Sequence, residues 1–453
     1  MMGIIRKIAS KFGLDKAIAF TSSASVLSAL GNVISVILVV KYLTGIEQGF
    51  YYTFGSIVAI QIFFELGLNG IITQYVAHEV SHLQWESDHN FSGESKYISR
   101  LSSLLHFSLK WYVFFASLLI VSLIAIGYFY FNRYNTAGGT VSWVAPWILL
   151  AVGTGINLII SPIIAFLQGL GKVKEIARIQ LILQIFKLTI VWAGLIAGAK
   201  LYVLGLGSFM GILIYTLLIA YKYRKLLANI WQTKIIERVH YLKEIFPYQW
   251  KIAISWISGY FVFQLYNPVL FATEGPIVAG QMGMTLAALG GVSSITLAWI
   301  TTKIPTFSGL IAQKKYIQLD TLFNNTVLQT FVLNVILLTG MFAVIFGIRY
   351  FNITIEGKHL GDRFLPYLPM LFMMLPILLN HIISAWATYL RCHKKEPMMV
   401  LSIAMGIACT LSTVLLGKYY GVLGMTTGYM ILCAVSFICT YFIFINNKRK
   451  WHQ

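Results

Sequence analysis

The chain has 453 residues, 58% of them hydrophobic and only 11% charged. Soluble domains carry roughly 25% charged residues, so a water-facing globule is excluded. The formal net charge is +19, yet the basic residues sit in short clusters between apolar runs, the pattern of membrane topology and not of a nucleic-acid-binding stripe.

In chain order, residues 1–16 form a short amphipathic segment without an apolar core, so no cleavable signal peptide is expected. Ile4, Ile5, Ile8 and Phe12 share one helical face, with Arg6, Lys7 and Lys11 elsewhere, as suits a helix lying on an anionic leaflet. A membrane span needs ~20 mostly apolar residues. The first half offers Ala17–Val40, Phe50–Val76, Leu104–Phe131, Val141–Gln168, Ile176–Ala199 and Leu201–Tyr221. The second offers Ile252–Ala272, Pro276–Thr301, Thr321–Ile348, Phe364–Leu390, Met398–Leu416 and Gly421–Ile445. The expected fold is an all-α integral membrane protein of about twelve transmembrane helices. Residues 17–221 make one six-helix lobe and 252–445 the other, with a linker over 222–251 and a basic tail over 446–453. In the linker, Trp231, Ile235, Val239, Leu242 and Phe246 recur at helical spacing among Lys234, Arg238 and Lys243. That predicts a surface amphipathic helix over Ile230–Phe246.

Lys and Arg concentrate in alternate connecting segments: residues 1–16, Lys96 and Arg100, Lys172–Arg178, Lys222–Lys251, Lys303–Lys315, Arg391–Lys395 and Lys448–Lys450. The intervening set holds only Lys41, Arg133, Lys200, Arg349, Lys358, Arg363 and Lys418. This bias places both termini in the cytoplasm. The halves also echo each other. Val203-Leu204-Gly205 opens the sixth span shortly after Lys200, and Val422-Leu423-Gly424 opens the twelfth shortly after Lys418. A parallel repeat of two six-helix bundles, with a pathway between them, follows.

Polar residues inside spans are the candidate functional groups, because each is costly in hydrocarbon. Thr21, Ser25, Ser28, Asn32 and Ser35 form a stripe on the first span; Gln61, Glu65, Asn69 and Thr73 form one on the second. Either stripe serves interhelical hydrogen bonding or lines a wet cavity. Lys187 lies mid-span with Gln180 and Gln184 on its face; it is a cation facing the pathway, a structural partner of Glu65 or a snorkelling ammonium. Gln264 and Asn267 share a face of the seventh span, and His381, Ser384, Thr388 and Arg391 a face of the tenth. A lone membrane histidine is more often a packing residue than a ligand. Glu65 is the one acidic residue among the twelve spans, while Lys41, Lys251, Lys303 and Arg391 sit at span ends. That bias favours an anionic cargo, with phosphate-bearing ligands the natural candidates. Cys392, Cys409, Cys433 and Cys439 show no metal or disulfide spacing, and no cofactor is expected. Without a nucleotide-binding Gly-x4-Gly-Lys-Ser/Thr segment, an ion gradient or the membrane potential is the remaining energy source.

Several of these segments resemble a known family. Lys41-Tyr42-Leu43-Thr44-Gly45, Gln48-Gly49-Phe50-Tyr51, Glu65-Leu66-Gly67-Leu68 and Thr73-Gln74-Tyr75-Val76-Ala77 are similar to the opening hairpin of the lipid-linked oligosaccharide flippases. These are the bacterial O-antigen and capsule exporters, in the multidrug/oligosaccharidyl-lipid/polysaccharide (MOP) superfamily with the multidrug and toxin extrusion (MATE) pumps and the lipid II flippase. Lys303-Ile304-Pro305-Thr306-Phe307-Ser308 and Gln313-Lys314-Lys315 resemble the family's segment after its eighth span. The resemblance implies a MATE-like, V-shaped, two-lobed cavity lined by the first, second, seventh and eighth spans, alternating between inner and outer openings. It implies a bacterial inner-membrane location, a polyprenyl-diphosphate-linked oligosaccharide and bilayer lipid as partners, and work beside lipopolysaccharide or capsule assembly proteins. Lys41 matches the family's basic residue; Gln74 stands where the family often has arginine. Multidrug pumps commonly carry a carboxylate in the first or seventh span, and this sequence has none there.

The leading expectation is a flippase, not an enzyme, with a MATE-type drug or metabolite antiporter as alternative. A membrane glycosyltransferase or polymerase is the weaker alternative, since the longest outer loop is only Arg349–Arg363 and no carboxylate cluster suggests glycosyl transfer.

Overall fold

A computed structural model describes residues 27, 31–32, 34–87, 89–134, 141–355, 357–393, 395 and 397–452. The amphipathic segment over 1–16 and most of the first span, including Thr21, Ser25 and Ser28, lie outside the described residues. Helix α1 (34–42) completes that span, and α2 (Gly45–Val58) leads through short turns to α3 (Leu68–Val80). A hairpin of β1 (Leu83–Ser87) and β2 (Asn90–Gly93) precedes α4 (Ser95–Tyr134), α5 (Val144–Gly169), α6 (Val173–Ile196) and α7 (Tyr202–Gln232). The second half holds α8 (Phe246–Phe263), α9 (Tyr266–Thr273), α10 (Pro276–Thr301), α11 (Ile304–Ala312) and α12 (Tyr316–Tyr350). A small hairpin, β3 (Thr354–Ile355) with β4 (Lys358–His359), precedes α13 (Tyr367–Cys392) and α14 (Met399–His452).

Among the described residues, 8 helices are long and apolar enough to cross a membrane, or 9 if Gly45–Glu65 and Leu68–Val80 form one broken span. Each expected span from the second to the twelfth coincides with helix. The second bends by 40° at Leu66 and Gly67, both left-handed at φ 51° and 68°. The seventh is split into α8 and α9. The eleventh and twelfth run together as α14 but turn at Gly421, whose φ 58° and ψ −148° are non-helical. Glycine is required there twice over: the backbone is left-handed, and an added Cβ would lie 2.2 Å from the Glu274 carboxylate. Glu274 accepts the Val422 amide, capping the helix that restarts.

Helices alternate in direction, so the molecule has two ends. The linker end gathers the start of α4 and the ends of α7, α13 and α14; the distal end gathers the α1–α2, α9–α10 and α12–α13 connections. At the distal end the halves touch backbone to backbone, α2 crossing α10. A Cβ on Gly49 would sit 2.0 Å from the Pro276 carbonyl, and one on Gly280 would sit 2.9 Å from the Gly49 nitrogen. Small residues permit the close approach that membrane helices use in place of a hydrophobic driving force.

The linker differs from expectation. In place of one amphipathic helix over Ile230–Phe246, α7 ends at Gln232, residues 233–240 are extended or bent, and a π-turn at Tyr241–Ile245 enters α8. The cause is a set of acceptors on the start of α4. Ser99 Oγ accepts the Ile236 and Glu237 amides at 2.7 and 2.9 Å, and Ser103 Oγ accepts the Val239 amide at 3.2 Å. Those amides would otherwise bond within a helix, so the α4 hydroxyls replace helical hydrogen bonds one for one. Arg100 adds charge, pairing with Glu79 at 2.9 Å, Glu244 at 2.6 Å and Glu237 at 3.8 Å. His106 stacks on Trp231 with centroids 3.5 Å apart.

Candidate functional site

Two cavities open among the described helices. One, of about 300 Å³, belongs to the first half, between α5, α6 and α7, and is lined by Asn157, Gln180, Gln184, Lys187, Ser208 and Tyr215 with several apolar residues. The other, of about 520 Å³, lies where α2 meets the second half; its polar lining includes Tyr52, Ser56, Gln264, Asn267, Asn380 and His381. Neither contains an Asp or Glu among its described lining residues.

The larger cavity is organised by amide and hydroxyl pairs. Asn267 donates to Ser56 Oγ at 3.0 Å, tying α9 to α2. Asn380 donates to the Tyr429 hydroxyl at 3.0 Å, tying α13 to α14. His381 is buried and its Nε2 bonds Thr330 Oγ1 at 2.8 Å, so it packs as well as lines. Tyr52 and Tyr266 complete an aromatic wall that sequence reading missed, because aromatic residues are too common in this chain to stand out. Asn380 was findable as an amide inside an apolar run, adjacent to His381.

Of the readings open for Lys187, the pairing with Glu65 is not formed. Glu65 sits at the bend between α2 and α3, where its Oε1 accepts Asn69 Nδ2 at 2.8 Å, and Asn69 Oδ1 in turn accepts the Tyr112 hydroxyl at 2.8 Å. The second-span stripe thus packs Glu65 and Asn69 against α4, and Thr73 donates to the Ala165 carbonyl of α5 at 3.0 Å. Gln61 is half-buried beside the bend. On the first span, Ser35 accepts Trp192 Nε1 at 2.8 Å, so that residue serves helix packing; Asn32 is half-buried and lines neither cavity.

The basic candidates scatter. Lys41 ends α1 at the distal end, half-buried, with Lys358 Nζ donating to its carbonyl at 3.1 Å. Lys303 and Arg391 lie at the linker end of α10 and α13, half-buried and exposed respectively. The Lys251 side chain lies outside the described residues. Of the described basic candidates, Lys187 lines one of these two cavities.

A further cluster went unread in the sequence. Gln48 Nε2 donates to the Gly280 carbonyl at 2.8 Å and to the Arg363 carbonyl at 3.1 Å. The Arg363 guanidinium donates to Gln48 Oε1 at 3.3 Å and to the Leu43 carbonyl at 3.1 Å. Both side chains are buried, and together they latch the halves at the distal end. Only the Gln48-Gly49 pair hinted at it.

The sequence matches no protein-family model and no curated relative. Solved structures do match across nearly the whole chain. An outward-facing multidrug resistance MATE family transporter of the MOP superfamily aligns over 96% of this chain and 96% of its own, with TM-score 0.60 and 11% identity. An inward-facing MATE family transporter covers 93% and 99%, at 0.57 and 13%. The lipid II flippase MurJ, in an inward closed conformation, covers 95% and 89%, at 0.58 and 14%. The chain therefore shares the all-α, multi-helix membrane fold of these solved structures, as the residues led us to expect. At such identities the likeness establishes architecture and leaves cargo to the site itself.

Proposed function

We propose that the chain is an alternating-access flippase moving an anionic lipid-linked oligosaccharide across a bacterial inner membrane, with both termini cytoplasmic, for surface polysaccharide assembly. The observation that carries this reading is the larger cavity, which offers aromatic faces, amides and hydroxyls and no carboxylate among its described lining residues. Sugars are recognised by ring faces and directed hydrogen bonds, which this lining supplies. Gln264, Asn267 and His381 would meet the glycan, while Lys41, Lys251, Lys303 and Arg391 supply positive potential toward the two membrane faces. The lipid tail stays in the bilayer, so only the polar head needs shelter from hydrocarbon. A gradient or the membrane potential would drive the cycle without a cofactor, and assembly proteins would take the product.

Reconstitution into vesicles with a polyprenyl-diphosphate glycan tests this directly. Transbilayer movement should exceed that of protein-free vesicles by at least tenfold and should collapse in an Asn267→Ala, Asn380→Ala variant of normal abundance. No acceleration with any such glycan sinks the reading. Antiport of an organic cation is the second reading, favoured by the likeness to MATE multidrug transporters. It requires gradient-driven cation uptake in the same vesicles.

A further inference from the structure

The smaller cavity differs from the larger in one respect that chemistry can use: it carries a fixed cation. Lys187 lies near the middle of α6, its side chain exposed into a space that α7 leaves open with Gly207 and Gly211. A Cβ at Gly211 would meet nothing within 4 Å, so among the described residues no neighbour fills the opening. Among the described residues no carboxylate pairs with Lys187. Tyr215, which also lines the cavity, is only 4% exposed, and its hydroxyl has no hydrogen-bond partner among the described residues. A buried unpartnered hydroxyl is costly unless something arrives to accept or donate. The amides of Asn157, Gln180 and Gln184 and the Ser208 hydroxyl surround the pair.

An ammonium, a free phenolic hydroxyl and several amide donors converging without an acidic residue form an anion receptor. A metal cation or an organic ammonium would meet Lys187 as a like charge. A neutral sugar would leave the lysine uncompensated in a membrane-embedded site. We infer that the first-half cavity around Lys187 and Tyr215 binds a phosphoryl anion, while the larger cavity holds the uncharged sugars of the same cargo. This rests on the flippase reading for the identity of the cargo, though the anion site itself is read from the cavity. It divides recognition between the halves: charge in the first, glycan in the second.

Farnesyl diphosphate, binding to the full chain in lipid nanodiscs, is the probe. The wild type should bind it, with farnesol as a neutral control failing to bind. Lys187→Ala should weaken binding at least tenfold, Lys187→Arg should retain most of it, and Tyr215→Phe should weaken it about threefold. Because no described carboxylate pairs with Lys187, Lys187→Ala should melt at the wild-type temperature; a lowered melting point with unchanged diphosphate affinity overturns the proposal in favour of a structural lysine. Equal affinity for farnesol and farnesyl diphosphate also overturns it. Inorganic pyrophosphate separates the two sources of the anion: competition at equal concentration assigns the site to free phosphoryl anions, and competition only by the prenylated form assigns it to the lipid-linked cargo. Normal glycan-lipid movement by Lys187→Ala rejects this site and spares the flippase reading. Diphosphate binding without glycan-lipid movement by the wild type does the reverse.

Discussion

At the distal end the halves meet through glycine backbones and a buried Gln48–Arg363 latch, whereas at the linker end the linker is tied to the first half through Arg100, which pairs with the buried Glu79 and with the partly exposed Glu237 and Glu244. The forces at the two ends differ in kind. Close-packed, dehydrated contacts tolerate no added atoms and lose much when a partner is removed. Partly hydrated ion pairs are individually worth little. The distal end should therefore switch as a unit, while the linker end should yield gradually.

The largest test of this contrast is Gly49→Val. Its side chain must displace the Pro276 carbonyl, and overpacking of this kind typically costs 1–3 kcal/mol, so about 2 kcal/mol and a parting of α2 from α10 are expected. In a Ser56→Cys background, labelling by a membrane-impermeant maleimide from the distal side should rise about tenfold. Unchanged labelling and melting temperature would show that the crossing is not a gate. A smaller effect is expected for Arg363→Met, which leaves Gln48 Oε1 without this donor and the Leu43 carbonyl with only the longer bond from Lys358 at 3.4 Å, at a cost of roughly 1–3 kcal/mol. Distal labelling should rise less than for Gly49→Val; a larger rise would make the guanidinium, and not the glycine crossing, the main closure.

A third test is Arg100→Gln, which removes the partner of the buried Glu79 together with that of the partly exposed Glu237 and Glu244, and its effect should depend on pH. Burial alone would raise the Glu244 carboxyl, but the His240 amide and the Arg100 guanidinium outweigh it and hold the group below 4.5, its ordinary value. A carboxylate depressed in the folded state contributes stability that is present above its ordinary range and lost as pH falls through its folded value. The melting-temperature difference between wild type and Arg100→Gln should thus be constant near neutral pH and shrink below about pH 4. A difference that grows on acidification would contradict the pairing.

How far the sequence could be read depended on the range of the interaction. Span positions follow from local apolarity, and the helices fell where Leu104–Phe131 or Val141–Gln168 predicted them. The Gln61, Glu65, Asn69 stripe is an i, i+4 relation, and Asn69 does bond Glu65. What failed was nonlocal. The linker's periodicity pointed to a helix, but Ser99 and Ser103 capture its amides from more than a hundred residues away. Lys187 and Glu65 were matched by charge alone, and the fold put Asn69 beside one and a cavity beside the other. Gln264, Asn267 and His381 were legible as polar residues in apolar helices and do share a cavity; the tyrosines beside them carried no comparable signal.

The 40-residue length of α4 has a consequence for biosynthesis. At 1.5 Å per residue it extends about 60 Å, well beyond a ~30 Å hydrocarbon layer. Its first turns, with Ser99, Arg100 and Ser103, are made long before the residues they bind. During translation Arg100 has Glu79 as its early partner and gains Glu237 and Glu244 only after every helix of the first half has been synthesised. The nascent first half therefore displays a prepared docking strip, and the emerging linker is received by it before the first span of the second half follows. Order of synthesis, written into one over-long helix, presents the α4 acceptors before the linker amides that they bind.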